Sequence, residues 1–261
     1  MTPGGGELWR VIPRPLRTLS AALVVVTVAT ACGGASHPRP APLPAGPQQM
    51  TATVDAVRLG VSGGCARSRV GGGLTDGKVV LTSASLVAGA GTVQVTNAQG
   101  KQVPGRVVAL DADNDVAWVY APGLPSVRIG PAQQSDRVVP AYLFTFTAAG
   151  APVTYRAQTR ERTTTTTQDV FGTHPVRRDI YRLHLDSAAS VPLSGAPVLD
   201  SSGNLLGIAS ATAPGDTHSV DVVAGDAVAR SAATRSLSAQ DPATMATSAG
   251  TRCAAAVSAS S

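Results

Sequence analysis

The sequence predicts an all-β protein, a sandwich or barrel built from many short strands. Three observations predict it. Val-, Leu- and Thr-rich runs of four to seven residues recur along the middle of the chain. Each is bounded by Gly, Pro, Asp or Asn turn signals. No stretch there sustains a helical period. The 261 residues suffice for one domain or two small ones, with chain enough to bury a core. Hydrophobic residues make up 43% and charged residues 14%, which excludes a charged disordered chain. Aromatics are only 3%, which argues against base-stacking recognition of single-stranded nucleic acid.

Residues 1–31 read as a targeting segment. Arg10, Arg14 and Arg17 form a basic start, and Leu19 to Ala29 form an apolar, uncharged run. That run is too short to span a bilayer, which takes about 20 residues, but has signal-peptide proportions. Ala29-Thr30-Ala31-Cys32 follows, small residues ahead of a single Cys, and looks like a bacterial lipoprotein signal with Cys32 as the acylated residue. An ordinary secretory signal and an uncleaved anchor are the alternatives. All three place the remainder outside the cytoplasm, and lipidation puts it on the outer face of the cell membrane. The net charge of +5 includes those three arginines and Glu7, so the rest is only slightly basic. Nucleic acid is not an expected partner.

Residues 32–52 contain His37-Pro38-Arg39-Pro40-Ala41-Pro42-Leu43-Pro44 and read as a Pro/Gly-rich tether. Once Cys32 carries lipid, Cys65 and Cys253 remain. An exported chain is expected to pair them, tying the tail (231–261) to the start of the domain. Two buried free thiols are the alternative. No His/Cys spacing suggests a metal site, and no cofactor is expected.

The strands come next. Val79–Thr82, Thr92–Thr96, Gly105–Leu110 and Val116–Tyr120 are separated by Asp76-Gly77, Gly89-Ala90-Gly91, Ala98-Gln99-Gly100 and Ala121-Pro122-Gly123. A second set follows: Ala141–Phe146, Val153–Thr159, Ile180–Leu185, Ala196–Leu199, Leu205–Ala209 and Ser219–Val223. Thr163 to Thr167 reads as a loop tip or edge strand, and His218 as a hairpin-tip residue. Asp226 to Ser231 starts a short C-terminal helix.

Three segments resemble trypsin-like serine proteases of the bacterial two-barrel type, in the family's order. Val79-Val80-Leu81-Thr82-Ser83-Ala84-Ser85-Leu86-Val87 is similar to the segment that carries the family's histidine. Asp111-Ala112-Asp113-Asn114-Asp115-Val116-Ala117 resembles the aspartate segment, and Pro192-Leu193-Ser194-Gly195-Ala196-Pro197-Val198-Leu199 the serine segment. The resemblance implies a two-domain double β-barrel, with barrels over residues 53–130 and 131–230 and a short C-terminal helix or tail.

In that family a His takes the serine proton, an Asp fixes the His, and two backbone N–H groups bind the oxyanion. Asp115 matches the aspartate and Ser194 the nucleophile. The base position holds Ser85, whose hydroxyl does not titrate near neutrality. Removing a triad base costs about 10⁶ in turnover. The residue two before the nucleophile supplies one oxyanion N–H. Here it is Pro192, which has none, and a lost donor costs about 10²–10³. The match places Ala188 at the floor of the specificity pocket. A Ser85–Asp115 hydrogen bond would replace the lost His–Asp pair. The resemblance and its departures imply a lipid-anchored, catalytically inactive trypsin-like domain that binds a peptide or an envelope protein. The alternatives are an unconventional serine hydrolase using Ser194 and a structural module with a closed cleft.

Overall fold

The computed structural model describes residues 55–64, 68–124, 138–213 and 215–234, all within one compact unit. The targeting segment, Cys32, the tether, Cys65, Cys253 and the tail beyond Thr234 lie outside the described residues.

Among the described residues twelve strands form two closed antiparallel barrels. The first contains β1 (Ala56–Gly64), β2 (Arg69–Asp76), β3 (Val79–Thr82), β4 (Ala90–Asn97), β5 (Gln102–Asp111) and β6 (Val116–Tyr120), in the order β1-β2-β3-β6-β5-β4. The second contains β7 (Pro140–Phe146), β8 (Pro152–Gln168), β9 (Pro175–Leu185), β10 (Pro197–Asp200), β11 (Leu205–Ala213) and β12 (Asp216–Ala224), in the order β10-β11-β12-β9-β8-β7. Among the described residues two helices complete the fold, a single turn α1 (Ala84–Val87) and α2 (Gly225–Thr234). The double-barrel expectation from sequence is therefore correct. Closure removes exposed edges from the body of each barrel, where they would otherwise invite aggregation.

Alternation along the strands builds three apolar clusters. Val57, Leu59, Val80, Val95 and Val119 fill the first barrel. Leu143, Tyr155, Leu183, Val198 and Val222 fill the second. Leu74, Leu81 and Trp118 of the first barrel meet Phe144, Phe146, Leu199 and Ile208 of the second, and Ala227 and Val228 of α2 join them. This third cluster welds the barrels together. Phe144 is fully buried within it, so its loss to Ala would cost about 3–5 kcal/mol.

The sequence reading missed β1 and β2. Their compositions explain the omission, since β2 contains Gly71-Gly72-Gly73, which reads as a loop. Gly71 and Gly72 face the segment that carries Ser194, and Gly73 faces the first barrel's own residues. A Cβ on Gly72 would lie 2.8 Å from the Ala196 Cα, and one on Gly73 2.6 Å from a Val80 methyl. A Cβ on Gly71 would collide with the Ser194 carbonyl. The bare strand lets the segment carrying Ser194 lie directly on the first barrel, and the Gly72 N–H donates to the Ser194 carbonyl at 2.9 Å.

One pair of alternatives resolves, and one local expectation needs adjustment. Thr163 to Thr167 lies inside β8 and pairs with Ile180 to Val176 of β9. Pairing of β8 with β7 ends at Gln158, so this stretch is the edge-strand alternative, with the hairpin tip beyond it at Asp169–His174. His218 stands within β12 rather than at a hairpin tip, and its ring stacks on His184 with centroids 5.8 Å apart.

Candidate active site

The short turn α1 follows β3 because Ser83 caps it. Ser83 is extended (φ −80°, ψ 143°), and its hydroxyl accepts the Leu86 N–H at 3.3 Å. This turn aims the Ser85 N–H at Asp115 Oδ1, 2.7 Å away. Asp115 closes the β5–β6 turn with φ +54°, a conformation that Asp tolerates better than most residues. Its carboxylate is buried and accepts three hydrogen bonds: the Ser85 N–H, the Ser85 hydroxyl at 3.3 Å and the Ser210 hydroxyl at 2.5 Å. The Ser85–Asp115 hydrogen bond expected from sequence is present. Burial pushes the Asp115 pKa up. The Ser210 hydroxyl, the charge of Arg178 and the bonds from Ser85 pull against it without reversing the shift.

Ser194 sits on a tight turn before β10. Gly195 takes φ +78° there, and the Ala196 N–H donates to the Leu193 carbonyl at 2.9 Å. A side chain at Gly195 would strike the Thr82 hydroxyl and the Gly72 carbonyl, so the turn requires glycine for conformation and for space. The Gly195 N–H is committed to the Ala209 carbonyl at 2.8 Å. Pro192 is exposed, and its carbonyl accepts the Thr145 hydroxyl at 2.7 Å. Having no N–H, it leaves only Ser194's own N–H of the two backbone donors expected from the resemblance.

The structure brings Ser194, Ser85 and Asp115 to one place, with Ser83 as the link. Ser83 Oγ lies 2.8 Å from Ser194 Oγ and 3.3 Å from Ser85 Oγ. The four residues form a chain of hydroxyls ending on a carboxylate. The three described histidines have their partners elsewhere. His174 pairs with Asp113, and His184 stacks on His218, whose Nδ1 lies 3.2 Å from the Leu185 carbonyl. His37 lies outside the described residues.

A cleft of about 540 Å³ opens over Ser194 and Ser85, bordered by Arg69, Val70, Leu86, Ala148 and Pro192. Arg69 lies along it and donates to the Ser85 carbonyl at 2.6 Å. Ala188, expected at the pocket floor, is exposed and is not among the residues lining this cleft. Its neighbours account for that position. The Ala189 N–H is held by the Thr217 carbonyl at 2.8 Å, and the Ser190 N–H by the Tyr155 hydroxyl at 2.9 Å.

Sequence reasoning gave no role to Ser83, Ser210 or Gly72. Ser83 lay within a quoted motif, where its N-cap position was a readable signal. Ser210 had none, because its contact with Asp115 spans 95 residues. One His and two carboxylates, Asp113, Asp169 and His174, meet at the tip of the β8–β9 hairpin and do not line the cleft.

Two barrels with a serine on a Gly turn, facing a buried aspartate across the first barrel's helical turn, define a serine-peptidase scaffold. Residues 62–208, more than half of the chain, match the trypsin-like peptidase domain family, and the chain belongs to it. Among curated proteins it is similar to serine protease Rv3671c of Mycobacterium tuberculosis, 30% identical over 155 residues, 58% of this chain and 38% of that one. It is also similar to putative serine protease HhoB of Synechocystis, 47% identical over 68 residues, 25% of this chain and 15% of that one. The chain thus matches well under half the length of these relatives. The crystal structure of the active form of Rv3671c protease superposes with a TM-score of 0.65 and 25% identity, covering 78% of this chain and 93% of that one.

Proposed function

We propose that this protein is a catalytically inactive trypsin-like domain, exported and held at the outer face of the cell membrane by lipid on Cys32, that binds a peptide or an envelope protein in its cleft. The observation that carries the inactive reading is the partner of Ser194, the Ser83 hydroxyl at 2.8 Å in place of an imidazole. A neutral hydroxyl does not remove the serine proton near pH 7. Pro192 independently removes an oxyanion donor. Binding is supported by the open cleft over Ser194. Export and lipidation are supported by the basic start, the apolar run and the small residues before Cys32. In that compartment Cys65 and Cys253 form a disulfide.

A second reading, slow hydrolysis at Ser194, draws on one feature. Ser194, Ser83 and Ser85 can each donate to the next, ending on an aspartate whose burial raises its proton affinity. Such a relay would deliver the serine proton to Asp115. Labelling of the mature protein by a fluorophosphonate separates the two readings, with Ser194→Ala as control. No Ser194-dependent adduct is expected. An adduct that disappears in the control establishes an activated serine and overturns the inactive reading. Metabolic labelling with a fatty-acid analogue, lost in Cys32→Ser, tests the anchor.

A further inference from the structure

The cleft over Ser194 carries charge of one sign. Val70, Leu86, Ala148 and Pro192 make its border apolar, and among the described residues that line it Arg69 alone is charged. Arg69 spends one Nη1 donor on the Ser85 carbonyl at 2.6 Å and forms no ion pair among the described residues. A guanidinium has five donors in a planar fork, so this bond fixes the group and leaves its Nε–Nη2 edge for a carboxylate. A second guanidinium stands behind the same rim. Arg58 of β1 donates from Nη2 to the Ala148 carbonyl at 2.9 Å, and its Nε is buried with no hydrogen-bond partner. Arg58 likewise forms no ion pair among the described residues. Asp115 is buried, is occupied by three hydrogen bonds and does not border the cleft.

The hydroxyls tell a ligand where its charge belongs. Ser85 donates its proton to Asp115 Oδ2. A hydroxyl has one proton, so Ser83 donates to Ser85 and Ser194 to Ser83. Ser194 Oγ then has only lone pairs left for a ligand, which suit an N–H and repel a carboxylate. Capture of a chain terminus by convergent backbone N–H groups is also unavailable beside Ser194. The Gly195 N–H is held by the Ala209 carbonyl, the Ala196 N–H by the Leu193 carbonyl, and Pro192 has none.

We propose that Arg69 makes the cleft selective for a peptide with an acidic side chain, whose carboxylate pairs with the Arg69 guanidinium while a backbone N–H of the peptide lies over Ser194. This rests on the reading of the cleft as a binding site. The buried, unpaired charge of Arg58 adds attraction for the same carboxylate, and the apolar border takes the neighbouring side chains. Because Arg69 is exposed, added salt weakens the pairing.

The test pans the mature chain against a phage-displayed library of random heptapeptides fused through their C-termini, so that only side chains supply carboxylates. Selected peptides, synthesised as C-terminal amides, are titrated calorimetrically into the wild type, Arg69→Gln, Arg69→Lys and Ala148→Trp. Arg69 and Ala148 are both exposed, so the variants fold. Ala148→Trp fills the cleft and reports whether a peptide uses it. Peptides that Ala148→Trp excludes are expected to share an Asp or Glu, to bind Arg69→Gln about tenfold more weakly, and to recover in part with Arg69→Lys. Changing that Asp or Glu to its amide should cost the wild type the same factor and Arg69→Gln nothing. Cleft-dependent peptides that lack an acidic residue, or whose affinity Arg69→Gln leaves unchanged, overturn the proposal and leave the binding reading standing. If no peptide is sensitive to Ala148→Trp, both fall.

Discussion

Restoring Ser85 to histidine tests most directly whether this cleft is one base away from catalysis. The site already holds the partner such an imidazole would need. Asp115 is fixed by the Ser85 N–H at 2.7 Å and by Ser210 at 2.5 Å, and its Oδ2 lies 3.3 Å from the present Ser85 hydroxyl. The ring would extend into the cleft that Ser85 borders, across the gap now bridged by Ser83. A triad base is worth about 10⁶ in turnover, roughly 8 kcal/mol at 1.36 kcal/mol per tenfold. The missing oxyanion donor at Pro192 is worth about 10²–10³. Ser85→His alone should therefore yield slow, Ser194-dependent labelling by a fluorophosphonate. Ser85→His with Pro192→Gly should hydrolyse an activated ester up to about 10²–10³ faster than the single variant. Stopped-time labelling and ester hydrolysis, with Ser194→Ala in each background, measure both steps. The oxyanion argument fails if Pro192→Gly adds nothing to Ser85→His. The argument from the base fails if Ser85→His, correctly folded, labels no faster than the wild type.

Three further outcomes are expected. Gly195→Ala should destabilise the protein by about 2–5 kcal/mol in chemical denaturation, because the left-handed backbone costs Ala about 1–2 kcal/mol and the collision with Thr82 and Gly72 adds an overpacking cost of about 1–3. Burial raises the Asp115 pKa, so the folded state holds that proton more tightly than the unfolded chain does. The resulting stabilisation is complete below the unfolded carboxylate pKa of about 3.9 and is lost as pH rises through the raised folded value. The melting temperature of the wild type relative to Asp115→Asn should therefore decline over that interval, and a difference that is flat or rises with pH would contradict the assignment. Cys65→Ser should cost about 4–5 kcal/mol if the bridge to Cys253 closes its long loop, and a reductant should then have no further effect on the variant.

Much of the fold was legible because strands announce themselves locally. Val79–Thr82 and Ile180–Leu185 alternate or run apolar, and Asp76-Gly77 and Gly203 punctuate them. The Ser194, Asp115 and Ser85 positions were legible because each sits in a short contiguous motif. What escaped were contacts whose partners lie far apart in the chain. The Gly71–Gly73 run looks like a linker until the Ser194 segment is laid against it. Ser210 is an ordinary strand residue until the second barrel docks it beside Asp115. The His174 cluster has no spacing signature, because one of its carboxylates comes from the other barrel.

The bare face of β2 has a consequence for how the cleft comes into being. The Gly72–Ser194 bond joins two closed barrels, each with its own apolar interior. Neither barrel alone contains the cleft, so it exists only after both have closed and docked. Assembly of the site is thus a late event, dominated by contacts distant in sequence, which topology makes slow. A ligand seated across Ser85 and Ser194 would act as a staple between halves, and its stabilising effect would show mainly in slower separation of the barrels rather than in faster formation of either.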